Sequence, residues 1–268
     1  MKQKSGLLIL LIILFATLVY AETPAKAPIA TTVKPQIDSK MVPPSSSKVA
    51  GRQAIMDQAA EEAALEEARL WLNQLGYNLK TTDEVRNLKS LSAVGGTIER
   101  AQALTTENMR HLKVLKNLET LELAQFGNDD WVANAAGLVK LRSFVMSPAS
   151  NLTDRSAAVF ANMPELIQLM IHGCKITDAG FAKLTGLKKL KVLGLQYAPI
   201  TDASMPIIGQ NTDLENLTLS FTKITDAGLP HLYNLQKLQY FKIQSQTITP
   251  GAIGTLKTKL PNCKVVYP

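Results

Sequence analysis

The stretch ITDAGFAKLTGLKKLKVLGL, residues 176–195, contains most of the information about the fold. Its opening Ile-Thr-Asp-Ala motif recurs at Ile200 and Ile224, and a Leu-Thr-Asp variant begins at Leu152, so that successive starts are 24 residues apart. Self-similarity at a constant period of this length is typical of proteins built from stacked structural repeats. The central and C-terminal parts of the chain are therefore predicted to form a repeat array.

The second half of each repeat carries leucines at alternating positions, which in the quoted repeat are Leu193 and Leu195. Such alternation predicts a short strand with one face turned inward. The Thr-Asp-Ala-Gly half suits a helix, with Asp178 placed to cap the exposed N–H groups of the first turn. Because one unit cannot bury its own apolar face, the units must stack. The leucine that precedes each strand recurs every 23–25 residues, at Leu118, Leu141, Leu166, Leu190, Leu214 and Leu238.

Residues 176–247 resemble the Ile-Thr-Asp-Ala-Gly-Leu type of leucine-rich repeat, and the likeness extends over about residues 104–268. This type is shared by ribonuclease-inhibitor-like and F-box-associated repeat proteins and by many secreted bacterial repeat proteins. The resemblance implies an α/β solenoid with a curved parallel β-sheet on its concave face and short helices on its convex face. It implies little about function, since the type serves many partners, and the lack of an F-box-like segment argues against a ubiquitin-ligase role.

The N-terminus has the three parts of a secretory signal peptide. Lys2 and Lys4 precede an uncharged apolar run over residues 7–19, and Val19 and Ala21 are the small residues before a candidate cleavage site. As a helix the apolar run would be about 20 Å long, short of the ~30 Å hydrocarbon core, which argues against an uncleaved anchor. We predict a signal peptide over residues 1–21 and a secreted or periplasmic mature protein that does not span the membrane.

Two further segments precede the repeats. Residues 22–52 are rich in proline, serine and lysine and are predicted to be a disordered linker. Residues 53–103 are predicted to be an N-terminal capping helix followed by irregular first coils, and residues 104–268 the leucine-rich-repeat domain. The residues of the capping helix that are expected to share its core-facing side are Ile55, Ala59, Ala63, Leu65, Ala68, Leu72 and Leu75.

Charge and motif content exclude several function classes. Residues 1–21 carry +2 and residues 22–52 carry +3 of the chain's net charge of +7, which leaves +2 on the predicted fold. A nucleic-acid-binding domain concentrates basic charge on its fold, so no nucleic-acid partner is predicted. No nucleophile, phosphate-loop, zinc or paired-carboxylate motif is present, and one Thr-Asp pair per repeat supplies too few oxygens for calcium. We predict no enzyme activity, no catalytic or metal-binding residue and no cofactor.

The two cysteines are predicted to be unpaired despite secretion. Cys174 follows one strand, and Cys263 belongs to a terminal strand four coils later. Four strand spacings separate them by about 19 Å, whereas a disulfide needs Cα atoms within ~7 Å.

The strand residues between the inward leucines form the concave sheet, which is the usual binding surface of a solenoid. This surface is nearly uncharged, and aromatic residues on adjacent coils suit contact with a protein or peptide. The predicted binding residues are Tyr197, Phe221, Tyr240, Met170, Val192 and His172. A second hypothesis is a structural or envelope-associated protein that binds polysaccharide or peptidoglycan through a basic patch, Lys188, Lys189 and Lys191. A concave sheet with no partner remains a third alternative.

Overall fold

The computed structural model describes residues 46–94, 98–124 and 127–267, and these contain one eight-stranded parallel sheet whose strands follow chain order. The strands are β1 (Ser90–Ala93), β2 (Thr120–Ala124), β3 (Ser143–Ser147), β4 (Gln168–Ile171), β5 (Val192–Gly194), β6 (Asn216–Thr218), β7 (Tyr240–Lys242) and β8 (Lys264–Val266). The predicted signal peptide and most of the predicted linker lie outside the described residues.

Short helical segments connect consecutive strands, as the repeat requires. The α-helices are α1 (Ser46–Gln74), α2 (Thr82–Arg86), α3 (Ile98–Ala103), α4 (Asp129–Asn134), α5 (Asp154–Phe160), α6 (Asp178–Phe181), α7 (Met205–Gly209) and α8 (Pro250–Lys259). The 3₁₀ segments are Asn108–Val114, Ala182–Gly186, Asp202–Ser204 and Asp226–Leu232.

Strand register confirms the predicted repeat. Leu169, Leu193, Leu217 and Phe241 pair in succession across four strands, and all four side chains are buried. The helical halves contribute further buried apolar residues, such as Leu229 and Leu232 of the last 3₁₀ segment. The core therefore lies between the sheet and the helical layer and continues from repeat to repeat.

The aspartates of the repeat motif do not cap their own helices, contrary to prediction. The N-cap of the Asp202–Ser204 segment is Thr201, whose hydroxyl accepts a hydrogen bond from the N–H of Ala203. Asp178 instead reaches into the next repeat, where it accepts hydrogen bonds from the N–H (2.9 Å) and the hydroxyl (2.7 Å) of Thr201. We call this series the aspartate ladder, and its members are Asp129, Asp154, Asp178, Asp202 and Asp226.

The glycine of the motif belongs to the same arrangement. A Cβ atom at Gly180 would collide with Oδ1 of Asp154, and one at Gly228 would collide with Oδ1 of Asp202. These glycines are needed because a carboxylate of the preceding repeat lies against their Cα atoms. The Thr-Asp-Ala-Gly pattern is therefore required for one repeat to pack on the next.

The core-facing side of helix α1 differs from the predicted one. Leu65, Ala68, Leu72 and Leu75 are buried as expected, but Ile55, Ala59 and Ala63 are exposed, and Ile55 retains 70% of its accessible surface. Residues 50–63 are exposed on every side of the helix, so this part of α1 does not pack on the core that the helix reaches from Leu65 onward. The fifth buried member is Trp71, whose indole N–H donates to the Ala103 carbonyl (3.0 Å). The helix also begins at Ser46 rather than at residue 53.

Both cysteines are free, which confirms that prediction. Cys174 is buried, and burial raises the pKa of its thiol to about 11. Cys263 is half-buried, four strand steps further along the sheet. Across the described ranges, no helix combines the length and the apolar character that a membrane crossing needs.

Candidate binding surface on the concave face

Strand alternation places three of the six predicted binding residues on the outward face of the sheet, and the other three follow strand ends. Met170 lies on β4, Val192 on β5 and Tyr240 on β7, and each side chain is half-buried. Their strand neighbours Leu169, Leu193 and Phe241 point into the core, so the period of two fixes which residues face out.

The connections that follow β4, β5 and β6 contain equivalent residues with a left-handed backbone. These are Gly173 (φ 81°), Tyr197 (φ 62°) and Phe221 (φ 61°). Their N–H groups continue the parallel ladder past the strand ends, since those of Tyr197 and Phe221 donate to the carbonyls of Ser220 (3.0 Å) and Gln244 (2.7 Å). Glycine adopts this conformation readily, whereas other residues pay about 1–2 kcal/mol for it. The repeat therefore accepts glycine here and carries two aromatic residues at a conformational cost.

The two aromatic rings form an exposed stack, which we call the aromatic ridge (Tyr197 and Phe221). Their centroids are 4.5 Å apart and their planes differ by 12°. Tyr197 is 59% and Phe221 44% exposed, so neither side chain recovers the backbone cost through burial in the core. Aromatic stacking of this kind contributes of the order of 1 kcal/mol and holds both rings in one orientation.

His172 covers a gap in the sheet beside the ridge. A Cβ atom at Gly194 would lie 2.6 Å from Cε1 of His172, so the imidazole occupies the space where Gly194 lacks a side chain. Nδ1 of His172 accepts a hydrogen bond from the N–H of Gln196 (3.3 Å). Burial, and then the charge of Lys242, lower the pKa of His172 below its ordinary value. At neutral pH the ring is therefore uncharged, with Nε2–H as its remaining donor.

Tyr240 lies apart from the ridge. It is the first residue of β7, whereas the N–H of Phe221 donates to the carbonyl of Gln244, which lies four residues after Tyr240. At about 3.3 Å per residue this places Tyr240 about 13 Å away along the strand direction. The structure thus brings together Tyr197 and Phe221, and His172 and Gly194, but it does not gather all six predicted residues in one cluster.

Two of the three lysines in the alternative basic patch are neutralised by neighbouring repeats. Lys189 pairs with Glu165 at 2.6 Å, and Lys191 pairs with Glu215 at 2.7 Å. Lys188 is exposed and makes no ion pair within the described ranges. The patch therefore presents less free positive charge than its sequence indicates.

No family model and no curated protein matches this chain. Among solved structures, internalin C2 of Listeria monocytogenes aligns with a TM-score of 0.53 and 22% identity over 76% of this chain and 92% of that one. A second internalin, internalin F of the same organism, gives 0.49 and 20% over 67% and 47%. A leucine-rich-repeat protein of Leptospira interrogans gives 0.42 and 19% over 59% and 45%.

The fold is a leucine-rich-repeat solenoid. This conclusion rests on the eight in-register parallel strands and on the alignment with internalin C2 along most of both chains. At 22% identity this likeness establishes the fold alone.

The solenoid also carries an open depression next to the ridge, which sequence reasoning missed. It has a volume of about 580 Å³, and its lining residues are Phe221, Thr222, Lys223, Gln244, Ser245, Gln246 and Thr247. Apart from Phe221, all of these side chains can donate or accept hydrogen bonds. Ser245 occupies the position after β7 that Tyr197 and Phe221 occupy after β5 and β6. The replacement of an aromatic residue by a small one at this position is the sequence feature that indicates the depression.

Proposed function

We propose that the protein is an exported, non-enzymatic interaction module that binds a protein or peptide on the concave face of its solenoid, with the aromatic ridge as its anchor. The observation that carries this proposal is the left-handed backbone at Tyr197 and Phe221. Gly173 fills the same position in the preceding repeat, so the fold has no need of an aromatic residue there. Strained positions of this kind are concentrated at binding and catalytic sites.

The surroundings of the ridge support a protein or peptide as the ligand. Binding energy at protein interfaces is concentrated in a few residues, among which tyrosine and tryptophan are enriched, surrounded by contacts that exclude water. His172 provides half-buried, uncharged surface beside the ridge, and Met170, Val192 and Tyr240 continue that uncharged surface along the sheet, away from the ridge. A prepaired, oriented ring stack also loses little conformational freedom when a partner binds.

The experiment compares the affinity of a partner for the full mature wild-type protein and for the double variant Tyr197→Gly, Phe221→Gly. Glycine removes the rings while keeping the backbone conformation favourable, so the solenoid stays folded. A partner captured by the wild-type protein should bind the double variant at least 30-fold more weakly, which corresponds to ~2 kcal/mol. Val139→Ala, at an exposed apolar residue elsewhere on the surface, is the matched control and should leave affinity unchanged. Unaltered affinity in the double variant rejects the ridge as anchor.

Binding of an envelope polysaccharide through Lys188, Lys189 and Lys191 has weaker support. The ion pairs of Lys189 and Lys191 with Glu165 and Glu215 compensate much of the charge that such a polymer would need. Loss of sedimentation with purified peptidoglycan in a variant with all three lysines changed to glutamine, but not in the double-glycine variant, would favour this alternative.

We further propose that the chain is exported and cleaved after Ala21. The support is the order of basic, apolar and small residues at the N-terminus, together with a short apolar run. N-terminal sequencing of the protein recovered outside the cytoplasm should begin at Glu22. Recovery of the chain with an intact Met1 from the soluble cytoplasmic fraction contradicts the proposal.

A further inference from the structure

The charged residues on the outward face of the sheet are separated by sign. Outward positions of the eight strands carry a single carboxylate, Glu122 on β2, and two lysines, Lys242 on β7 and Lys264 on β8. Glu122 accepts a hydrogen bond from the hydroxyl of Ser92 (2.9 Å) and lies five strand spacings from Lys242. That distance is about 24 Å, well beyond the ~8–10 Å over which charges interact at physiological salt. The acid therefore does not neutralise the lysines.

Four lysines that precede β1, β5 and β7 form ion pairs with neighbouring repeats. Lys89, Lys189, Lys191 and Lys237 each pair with a carboxylate that lies one repeat away, at distances of 2.5–2.9 Å. Within the described residues, Lys223, Lys242 and Lys264 form no salt bridge. Burial raises and hydrogen bonds lower the pKa of Asp178, and the charge of Lys223 makes a smaller lowering contribution. We call Lys223, Lys242 and Lys264 the lysine end of the concave face.

The lysine end borders the aromatic residues directly. Lys223 and Phe221 line the same depression, and Phe221 is hydrogen-bonded through its N–H to Gln244, two residues after Lys242. On the next strand, Lys264 is paired in register with Tyr240. Two exposed lysines, Lys223 and Lys264, and the half-buried Lys242 thus lie close to Phe221 and Tyr240, on the side nearest the C-terminal strand.

We propose that the segment bound on the concave face is an acidic peptide, in which an apolar side chain packs on the aromatic ridge and a neighbouring aspartate or glutamate bonds to the lysine end. This inference rests on the proposed function and adds the chemistry of the partner. An apolar side chain would cover the exposed rings of the ridge. A carboxylate would form the salt bridge that Lys223, Lys242 and Lys264 do not form within the described residues. Gln244 and Gln246 can donate amide N–H groups to the same carboxylate.

The probe is a phage-displayed library of random peptides of about twelve residues, which reach about 40 Å when extended and can cross the face. Selection is carried out on four folded full-length mature proteins, checked by thermal melting. They are the wild type, the ridge variant (Tyr197→Gly, Phe221→Gly), the lysine-end variant (Lys223→Gln, Lys242→Gln, Lys264→Gln) and a charge-matched control (Lys113→Gln, Lys116→Gln, Lys257→Gln) at exposed lysines on other surfaces.

On the wild type and on the charge-matched control we expect enrichment of peptides that combine an apolar residue with a nearby aspartate or glutamate. On the lysine-end variant the acidic preference should disappear. A synthetic peptide from the selection should bind the wild type about fivefold more tightly than its Asp→Asn or Glu→Gln counterpart, and this difference should shrink as salt is raised.

The outcomes separate this inference from the proposed function. Enriched peptides that are neutral or basic, or an acidic preference that survives in the lysine-end variant, overturn the acidic-peptide inference and leave the ridge as anchor. Acidic peptides enriched equally on the ridge variant contradict the ridge while supporting the lysine end. A library that yields no peptide above background on the wild type overturns both.

Discussion

The aspartate ladder and the aromatic ridge occupy the same connection of successive repeats, only a few residues apart, and they differ in how strictly they repeat. The ladder residue is aspartate in five repeats, and each one bonds to the threonine of the next. The ridge position changes from Gly173 to Tyr197 to Phe221 along three repeats, with an exposed side chain in two of them. The position whose side chain hydrogen-bonds to the next repeat keeps one residue type, whereas the ridge position, where only the backbone makes such a bond, varies and carries the exposed rings that we propose as the anchor.

The largest effect is expected where the repeats share their core. Leu217→Asp places a charge at a fully buried position between Leu193 and Phe241. The expected loss in the free energy of unfolding is on the order of several kcal/mol, a large share of a typical stability of ~5–15 kcal/mol. We expect no cooperative thermal transition in circular dichroism. The adjacent outward position supplies the control, since Thr218→Asp should melt within a few degrees of the wild type. Similar melting of both variants would show that the inward and outward faces have been assigned wrongly.

Substitutions in the aspartate ladder should cause the next largest loss in the free energy of unfolding, and the loss should differ between its members. Asp178 accepts from the N–H and hydroxyl of Thr201 and from the hydroxyl of Ser204, while Asp202 accepts from Thr225 alone. Hydrogen bonds to a charged group contribute about 1.5–3 kcal/mol each and are only partly additive. We expect Asp178→Ala to lower the free energy of unfolding by about 3 kcal/mol and Asp202→Ala by about 2 kcal/mol in urea titrations. Equal or negligible losses contradict the role given to the ladder.

Acid should weaken the ladder, because its members are carboxylates. Burial works to raise the pKa of Asp129 and Asp178, but hydrogen bonds from Ser156 and Thr153, and from Ser204 and Thr201, hold both below their ordinary values. A carboxyl whose folded pKa is depressed stabilises the protein above its unfolded pKa of ~3.9, and this stability is lost as pH falls through the folded pKa. Urea midpoints should therefore fall below about pH 4, and by less in Asp178→Asn. A midpoint independent of pH between 5 and 2 contradicts this.

The ladder and ridge also differ in how far the sequence predicts them. Leucine alternation gives strands and inward faces correctly, because burial imposes a period of two on every strand. The prediction that Asp178 caps its own helix is wrong because its partner, Thr201, lies one repeat away and only stacking of the repeats brings the two together. The left-handed backbone of Tyr197 was not predicted because tyrosine does not favour it, and the only sequence signal was Gly173 one repeat earlier. The predicted binding residues themselves remain a prediction.

A smaller effect is expected at the ridge position. Gly173→Ala should lower stability by about 1 kcal/mol for conformational reasons alone, since an added Cβ meets no atom within 4 Å. Tyr197→Gly should for the same reason be about 1 kcal/mol more stable than Tyr197→Ala, which is the reverse of the usual order of these residues. Urea titration of the three variants measures both differences. If alanine is as stable as glycine at both sites, the backbone there carries no conformational cost, and the two aromatic residues no longer indicate a binding site.

The smallest effect concerns Cys174, which lies between the ridge position and the ladder of its own repeat. Ala198 occupies the equivalent buried position one repeat later, so Cys174→Ala should change stability by less than about 1 kcal/mol. With a pKa of about 11, only about a thousandth of its thiol is ionised at pH 8, and burial further blocks reagents. Iodoacetamide should therefore label the half-buried Cys263 of the folded protein first and reach Cys174 only as fast as the repeat opens. Mass spectrometry of tryptic peptides follows both rates, and in urea both cysteines should react without prior reduction. Rapid labelling of Cys174 in the folded protein would mean that the connection after β4, in the repeat adjacent to the ridge, opens readily, and it would contradict the firm packing of this connection on the core.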